Sequence, residues 1–83
     1  MSREELSEVL VSEGFSVVRN PVIGDSEWVN GSIKIILYHD YFNVIHNFGK
    51  FSFPLDECKS FSFSLCDRRL TIGTGSFFYS TIA

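Results

Sequence analysis

An α+β fold is predicted: an N-terminal α-helix on a strongly twisted antiparallel meander of about six to eight short strands, curled towards a half-open barrel. Three features carry that expectation. A helix-capping sequence opens the chain, unbroken apolar–polar alternation runs from Lys59 to Cys66, and turn residues separate short apolar runs throughout. The runner-up is two packed sheets with the helix at one end. Either way the 83 residues form a single domain, 1–83, with the helix at about 3–13 and the sheet at about 15–82.

Ser2-Arg3-Glu4-Glu5 is a capping box, in which the Ser2 hydroxyl accepts from the Glu5 amide and the Glu5 carboxylate accepts from the Ser2 amide. Leu6, Val9, Leu10 and Glu13 then follow helical spacing, and Gly14 suits the residue after the C-cap. The apolar stripe is narrow, so the helix needs a sheet to lie on. Phe15 to Arg19 reads as a short strand ended by Asn20-Pro21, with Val22 to Asp25 as loop and Gly24-Asp25 as a turn. Ser26 to Val29 follows and meets Asn30-Gly31, the strongest hairpin signal in the chain. As a two-residue turn it sets Trp28 opposite Ile33 and Glu27 opposite Lys34.

The stretch Ser32–Asn47, SIKIILYHDYFNVIHN, organises the rest. A turn at His39-Asp40 pairs Tyr38 with Tyr41, Ile36 with Asn43, Ile35 with Val44 and Ile33 with His46. Facing residues of antiparallel strands share one side of the sheet. One side then holds Ile33, Ile35, Leu37, Phe42, Val44 and His46; the other holds Lys34, Ile36, Tyr38, Tyr41, Asn43, Ile45 and Asn47. Such a division is what a half-buried hairpin requires.

Phe48-Gly49 is the next expected turn, bringing Phe51 opposite His46 and Phe53 opposite Val44. Pro54 to Lys59 is a connection, with one helical turn at its Asp-Glu-Cys segment. In KSFSFSLC, Phe61, Phe63 and Leu65 point inward while the serines and Cys66 point outward. Asp67-Arg68 as a turn pairs Leu65 with Leu70 and Phe63 with Ile72, and Thr74-Gly75 pairs Ile72 with Phe77 and Leu70 with Tyr79.

Composition narrows the function. Apolar residues are 45% and charged residues 20%, which excludes a disordered chain, and nine Phe give a small core much surface to bury. The net charge of −3 has the wrong sign for a general phosphate-backbone binder and is too weak for a nucleic-acid mimic. No apolar run approaches the ~20 residues of a membrane span, and no export signal opens the chain. Cys58 and Cys66 lie outside any CxxC pattern, so two reduced thiols in a cytoplasmic protein are expected.

Searches for chemistry return structural explanations. His39 and His46 fall at opposite ends of one strand, and the cysteines lack ligand spacing, so neither metal nor cofactor is expected. His46 as a base, with Cys58 or a serine and with Asp40 or Asp56, lacks any feature that gathers the groups; a margin histidine held by one backbone or hydroxyl partner explains it better. Gly73-Thr74-Gly75 is a tight turn, and Arg68-Arg69 reads more readily as a solvated turn than as an anion grip.

The outer sheet face departs from a plain structural account, because Ile36, Tyr38, Tyr41 and Ile45, with Phe78 in the tail, are apolar where one helix cannot cover them. Such a patch marks a partner site, unless the first strand and residues 21–25 fold over it. The expectation is a small non-enzymatic protein-binding module. Its contact residues are Ile36, Tyr38, His39, Asp40, Tyr41, Ile45 and Phe78, with a homodimer as a further option. Phage- or mobile-element-type inhibitors of host defence and immunity proteins are the analogous class. The alternative is a small-molecule binder with a barrel mouth lined by Phe51, Phe53, Phe61 and Phe63, and a Cys/His hydrolase trails both.

Overall fold

Both halves of the capping box form: Glu5 N–H donates to Ser2 Oγ and Ser2 N–H to Glu5 Oε1, each at 3.1 Å. They start α1 (Arg3–Ser12) in a computed structural model that describes residues 1–18 and 26–82. These bonds hold the exposed Glu5 carboxyl below its ordinary pKa. At the far end Gly14 takes φ +89°, and the Phe15 amide returns to the Leu10 carbonyl at 2.9 Å. Leu6 and Leu10 face the core without exposed surface, while Val11 on the other side is exposed.

Among the described residues eight strands follow: β1 (Ser16–Val17), β2 (Ser26–Asn30), β3 (Ile33–Leu37), β4 (Tyr41–His46), β5 (Gly49–Pro54), β6 (Cys58–Ser64), β7 (Arg69–Thr74) and β8 (Phe78–Ile82). They do not make one continuous meander. The order β1-β2-β3-β4-β5 forms one antiparallel sheet and β6-β7-β8 a second. The break comes at Pro54, after which Leu55–Glu57 make one 3-10 turn that carries the chain from the first sheet to the second. The barrel is therefore open, and the architecture combines the expected helix-on-sheet class with the two-sheet arrangement. The expected turn at Gly24-Asp25 and the strand end at Arg19 lie outside the described residues.

The inner faces share one core. Trp28, Ile33, Ile35, Leu37, Phe42, Val44 and Phe53 come from the first sheet; Phe61, Phe63, Leu70 and Ile72 come from the second. Leu6, Leu10 and Phe15 close the same cluster from the helix side. Aromatic rings interlock within it: Phe15 meets Phe61 and Phe63 edge-on at 5.8 and 5.9 Å, and Phe42 stacks on Phe53 at 5.5 Å. Phe42 has no exposed surface, and burying a side chain of this kind is worth roughly 1.5–3 kcal/mol.

The β3–β4 hairpin turns at His39-Asp40 as expected, with Ile35 opposite Val44, Ile36 opposite Asn43 and the Tyr38 amide bonded to the Tyr41 carbonyl at 2.9 Å. Elsewhere the register moves by two residues. Trp28 faces Ile35, not Ile33, because Gly31-Ser32 makes the turn. Gly31 alone has positive φ (+61°), the pattern of a II′ turn with glycine in its first central position. Glu27 and Lys34, expected directly opposite, form an ion pair at 3.7 Å from displaced positions.

The same displacement recurs down the chain. Val44 faces Phe51 and Phe42 faces Phe53, with the β4–β5 turn at Asn47-Phe48. Ile72 faces Tyr79 and Leu70 faces Thr81, with the β7–β8 turn at Gly75-Ser76. Between β6 and β7 the reversal takes four residues, 65–68, so Phe61 faces Ile72 and Phe63 faces Leu70. Leu65, expected in the core, is spent in that turn and is 70% exposed. A shift of two leaves the side chains that stay in the strands on their expected faces, since faces alternate with period two.

Arg68 reconciles that longer turn with the other sheet. It is the non-glycine residue with positive φ (+55°) among the described residues. Its guanidinium lies 4.9 Å over the Phe63 ring and donates to Asn30 Oδ1 and the Asn30 carbonyl, both at 3.4 Å. A Cβ on Gly31 would meet Arg68 Nη2 at 2.5 Å, so the bare glycine makes room for this clasp. Arg68 is thus a tie between the sheets, while Arg69 pairs with Asp67 at 3.4 Å on the surface.

Candidate binding surface

The β3–β4 tip gathers four of the expected contact residues. Tyr38 and Tyr41 face each other across the turn with ring centroids 4.5 Å apart and planes 9° from parallel. His39 and Asp40 between them are exposed, Tyr38 is half-buried and Tyr41 is 38% exposed. The tip is anchored at the turn itself, where the Leu55 amide donates to the Asp40 carbonyl at 2.9 Å. Aromatic pairs in this geometry gain about 0.5–1.5 kcal/mol beyond their buried area. The rings therefore stay in register with each other before anything binds.

The rest of the expected patch is less available. Ile36 is only 2% exposed; it sits between Glu27 and Asn43 in the register, with Lys34 and Tyr38 two residues away along its strand. Asn43 beside it is buried too, accepting from Ser52 Oγ at 2.6 Å. Ile45 remains half-buried on the same face. Residues 21–25, expected as a possible cover, lie outside the described residues. Phe78 is 74% exposed but belongs to the second sheet, on the outer face, where its ring lies against Gly73. The two outer faces look away from the shared core, so Phe78 does not join the tyrosines.

A second aromatic group, which alternation alone did not single out, bridges the sheets. His46 stacks on Phe51 at 5.6 Å, and Tyr79 packs on Phe51 at 4.9 Å and on Phe53 at 5.3 Å. The Phe48 amide donates to His46 Nδ1 at 3.1 Å, which leaves the ring proton on Nε2 to be donated to Tyr79 Oη at 2.6 Å. His46 is a margin histidine satisfied on both nitrogens, one by backbone and one by hydroxyl. Both partners come from the displaced registers: the Phe48 amide from the Asn47-Phe48 turn, and Tyr79 from its place opposite Ile72.

The other chemical candidates are dispersed. Cys58 is buried, its thiol donates to the Ser60 carbonyl at 3.6 Å, and burial pushes its pKa up, the reverse of an activated thiolate. Among the described residues no three His, Cys, Asp or Glu side chains gather closely enough to hold an ion. Phe53, Phe61 and Phe63 pack in the core against the rings of Phe42 and Phe15 rather than lining a mouth; Phe51 is partly exposed beside His46. One cleft of about 270 Å3 runs between Ser52–Pro54, the 3-10 turn and the β7–β8 turn, open to solvent. No helix among the described residues is long and apolar enough to cross a membrane. Set against family models, curated proteins and solved structures, the chain finds no match.

Proposed function

We propose that this chain is a non-enzymatic protein-binding module whose contact site is the β3–β4 tip. The observation that supports this most is the pre-stacked pair Tyr38–Tyr41, presented with exposed His39 and Asp40 on a turn tied down by Leu55. Tyrosines in fixed rotamers offer large amphipathic contact area and lose little conformational freedom on binding. They act as the anchors, while His39 and Asp40 supply polar contacts at the rim and Ile45 extends the apolar border. Ile36, buried between Glu27 and Asn43, meets no partner directly.

The role that fits such a module is occupancy: it blocks the surface it binds, as small cytoplasmic inhibitors and immunity-type proteins do. A mild charge of −3 suits a protein target better than nucleic acid. The test is capture of a partner from the source cell by the wild type and by the double variant Tyr38→Ala/Tyr41→Ala. The double variant is expected to lose the partner while its melting temperature falls by only a few degrees. Retained capture overturns the proposal, and so does a collapse in stability, which would make the tyrosines structural.

A further inference from the structure

Among the described residues four strands end the two sheets, and three of them are guarded. Exposed edges of soluble proteins are blunted by shortness, charge, proline, irregular register or cover, because a bare edge pairs with any extended chain. β1 has two residues; β5 carries Lys50 and Pro54; β6 carries Lys59, a register irregularity between Cys58 and Ser60, and α1 alongside. β8 differs. Phe78-Tyr79-Ser80-Thr81-Ile82 has no charge of its own, no proline and no break in its pairing with β7; the Arg69 guanidinium of β7 reaches Ser80 Oγ at 3.1 Å on the outer face.

The direction of its backbone groups follows from the turn. The Thr74 amide donates to the Phe77 carbonyl at 2.8 Å. In an antiparallel ladder bonded and non-bonded pairs alternate, so Ile72 with Tyr79 and Leu70 with Thr81 exchange hydrogen bonds. The N–H and C=O groups of Phe78, Ser80 and Ile82 therefore point away from β7, to the free edge. The side chains of the same three residues stand on the outer face, where Phe78 is 74% and Ile82 50% exposed.

We propose that β8 pairs with the β8 of a second copy of this chain, antiparallel about a two-fold axis through Ser80, joining two three-stranded sheets into one. The edge is self-complementary in that register. Ser80 meets the partner's Ser80, and Phe78 meets the partner's Ile82 on both sides of the axis, so each exposed apolar side chain gains an apolar cross-strand neighbour. Every pair uses residues whose backbone groups already face outward. The Phe78 ring leans over Gly73, where a Cβ would meet it at 2.8 Å, so one face of the ring stays bare on the outer side of the sheet. One strand edge is a small interface, so the dimer is weak and concentration-dependent. This proposal stands apart from partner binding at the β3–β4 tip.

Sedimentation equilibrium across the micromolar to millimolar range tests it. The wild type is expected to pass from the 9.5 kDa monomer towards twice that mass. Ser80→Pro is expected to stay monomeric with a melting temperature lowered by only a few degrees in dilute solution, because the N–H it removes is not bonded to β7 and the bond it loses, from Arg69 Nη1 to the Ser80 hydroxyl, is exposed. As a second measure, Ser80→Cys in a Cys66→Ser background is expected to form a disulfide-linked dimer on mild oxidation, while Ser62→Cys in the same background is not; directly bonded antiparallel pairs hold Cα atoms about 5.5 Å apart, within disulfide reach. A wild type that remains monomeric throughout overturns the proposal. So does a Ser80→Pro variant that dimerises as well as the wild type, or a Ser80→Cys variant that oxidises no faster than Ser62→Cys.

Discussion

The hairpins β3–β4 and β6–β7 look alike as patterns and close differently. Both place an apolar residue at every second position up to a polar pair, His39-Asp40 in one and Asp67-Arg68 in the other. The first reverses in two residues and keeps its whole apolar set inside. The second reverses in four, gives up Leu65 to solvent and places Arg68 in the left-handed region. Left-handed backbone is unfavourable for a residue with a Cβ, by about 1–2 kcal/mol. What offsets it is distant: the Phe63 ring under the Arg68 guanidinium and the Asn30 oxygens in front of it. Alternation decides which face a side chain takes; the turn decides the register, and a turn can be held by partners far along the chain.

The largest expected effect tests the shared core. Phe42→Ala removes a ring without exposed surface that touches Phe53 and Phe61, and should lower the unfolding free energy by about 3–5 kcal/mol in urea titration. Next comes the clasp itself. Arg68→Ala loses the contacts and keeps the strained backbone, whereas Arg68→Gly loses the same contacts and relieves the strain. The glycine variant should be the more stable of the two by about 1 kcal/mol, and the reverse order would show that Arg68 φ is not a burden. Ser2→Ala, which opens the capping box, should cost about 1 kcal/mol in the same assay.

Alkaline titration gives a smaller, graded effect. Burial pushes the Cys58 thiol and the Tyr79 phenol up, so the unfolded chain ionises first. The stability these groups provide is complete below their ordinary pKa values and drains away as pH rises through their folded ones. Urea midpoints should fall as pH climbs past the ordinary thiol range and again past the phenol range, and Tyr79→Phe should remove the second fall. Smallest is Leu65→Ser, expected to change stability by no more than about 0.5 kcal/mol, whereas a buried leucine at that position would give several times as much.

Much of this was readable in the residues. The capping box at Ser2 and Glu5, the helix, the inward set Ile35, Leu37, Phe42, Val44, Phe61 and Phe63 and the His39-Asp40 turn all follow from local chemistry. What local chemistry did not specify was the phase of the turns. Asn30-Gly31 and Gly31-Ser32 are both acceptable reversals, and a two-residue shift maps one apolar residue onto the next, so the pattern is blind to it. The split into two sheets depends on Pro54 and the 3-10 turn after it, features that read only as a connection. At the candidate surface the Tyr38–Tyr41 pair was legible, because the turn fixes it. The burial of Ile36 was not, since it depends on how neighbouring side chains close over it, nor was the distance of Phe78 from the tip, which depends on which sheet its strand joins.

The pairing of β7 with β8 tests most directly the claim that alternation sets the face while the turn sets the register. Antiparallel non-bonded pairs bring their Hα atoms into close contact, so nuclear Overhauser spectra read the phase outright. With Gly75-Ser76 as the turn, strong Hα–Hα cross-peaks are expected for Thr71 with Ser80 and for Gly73 with Phe78. Cross-peaks for Leu70 with Tyr79 and Ile72 with Phe77 in their place would contradict it.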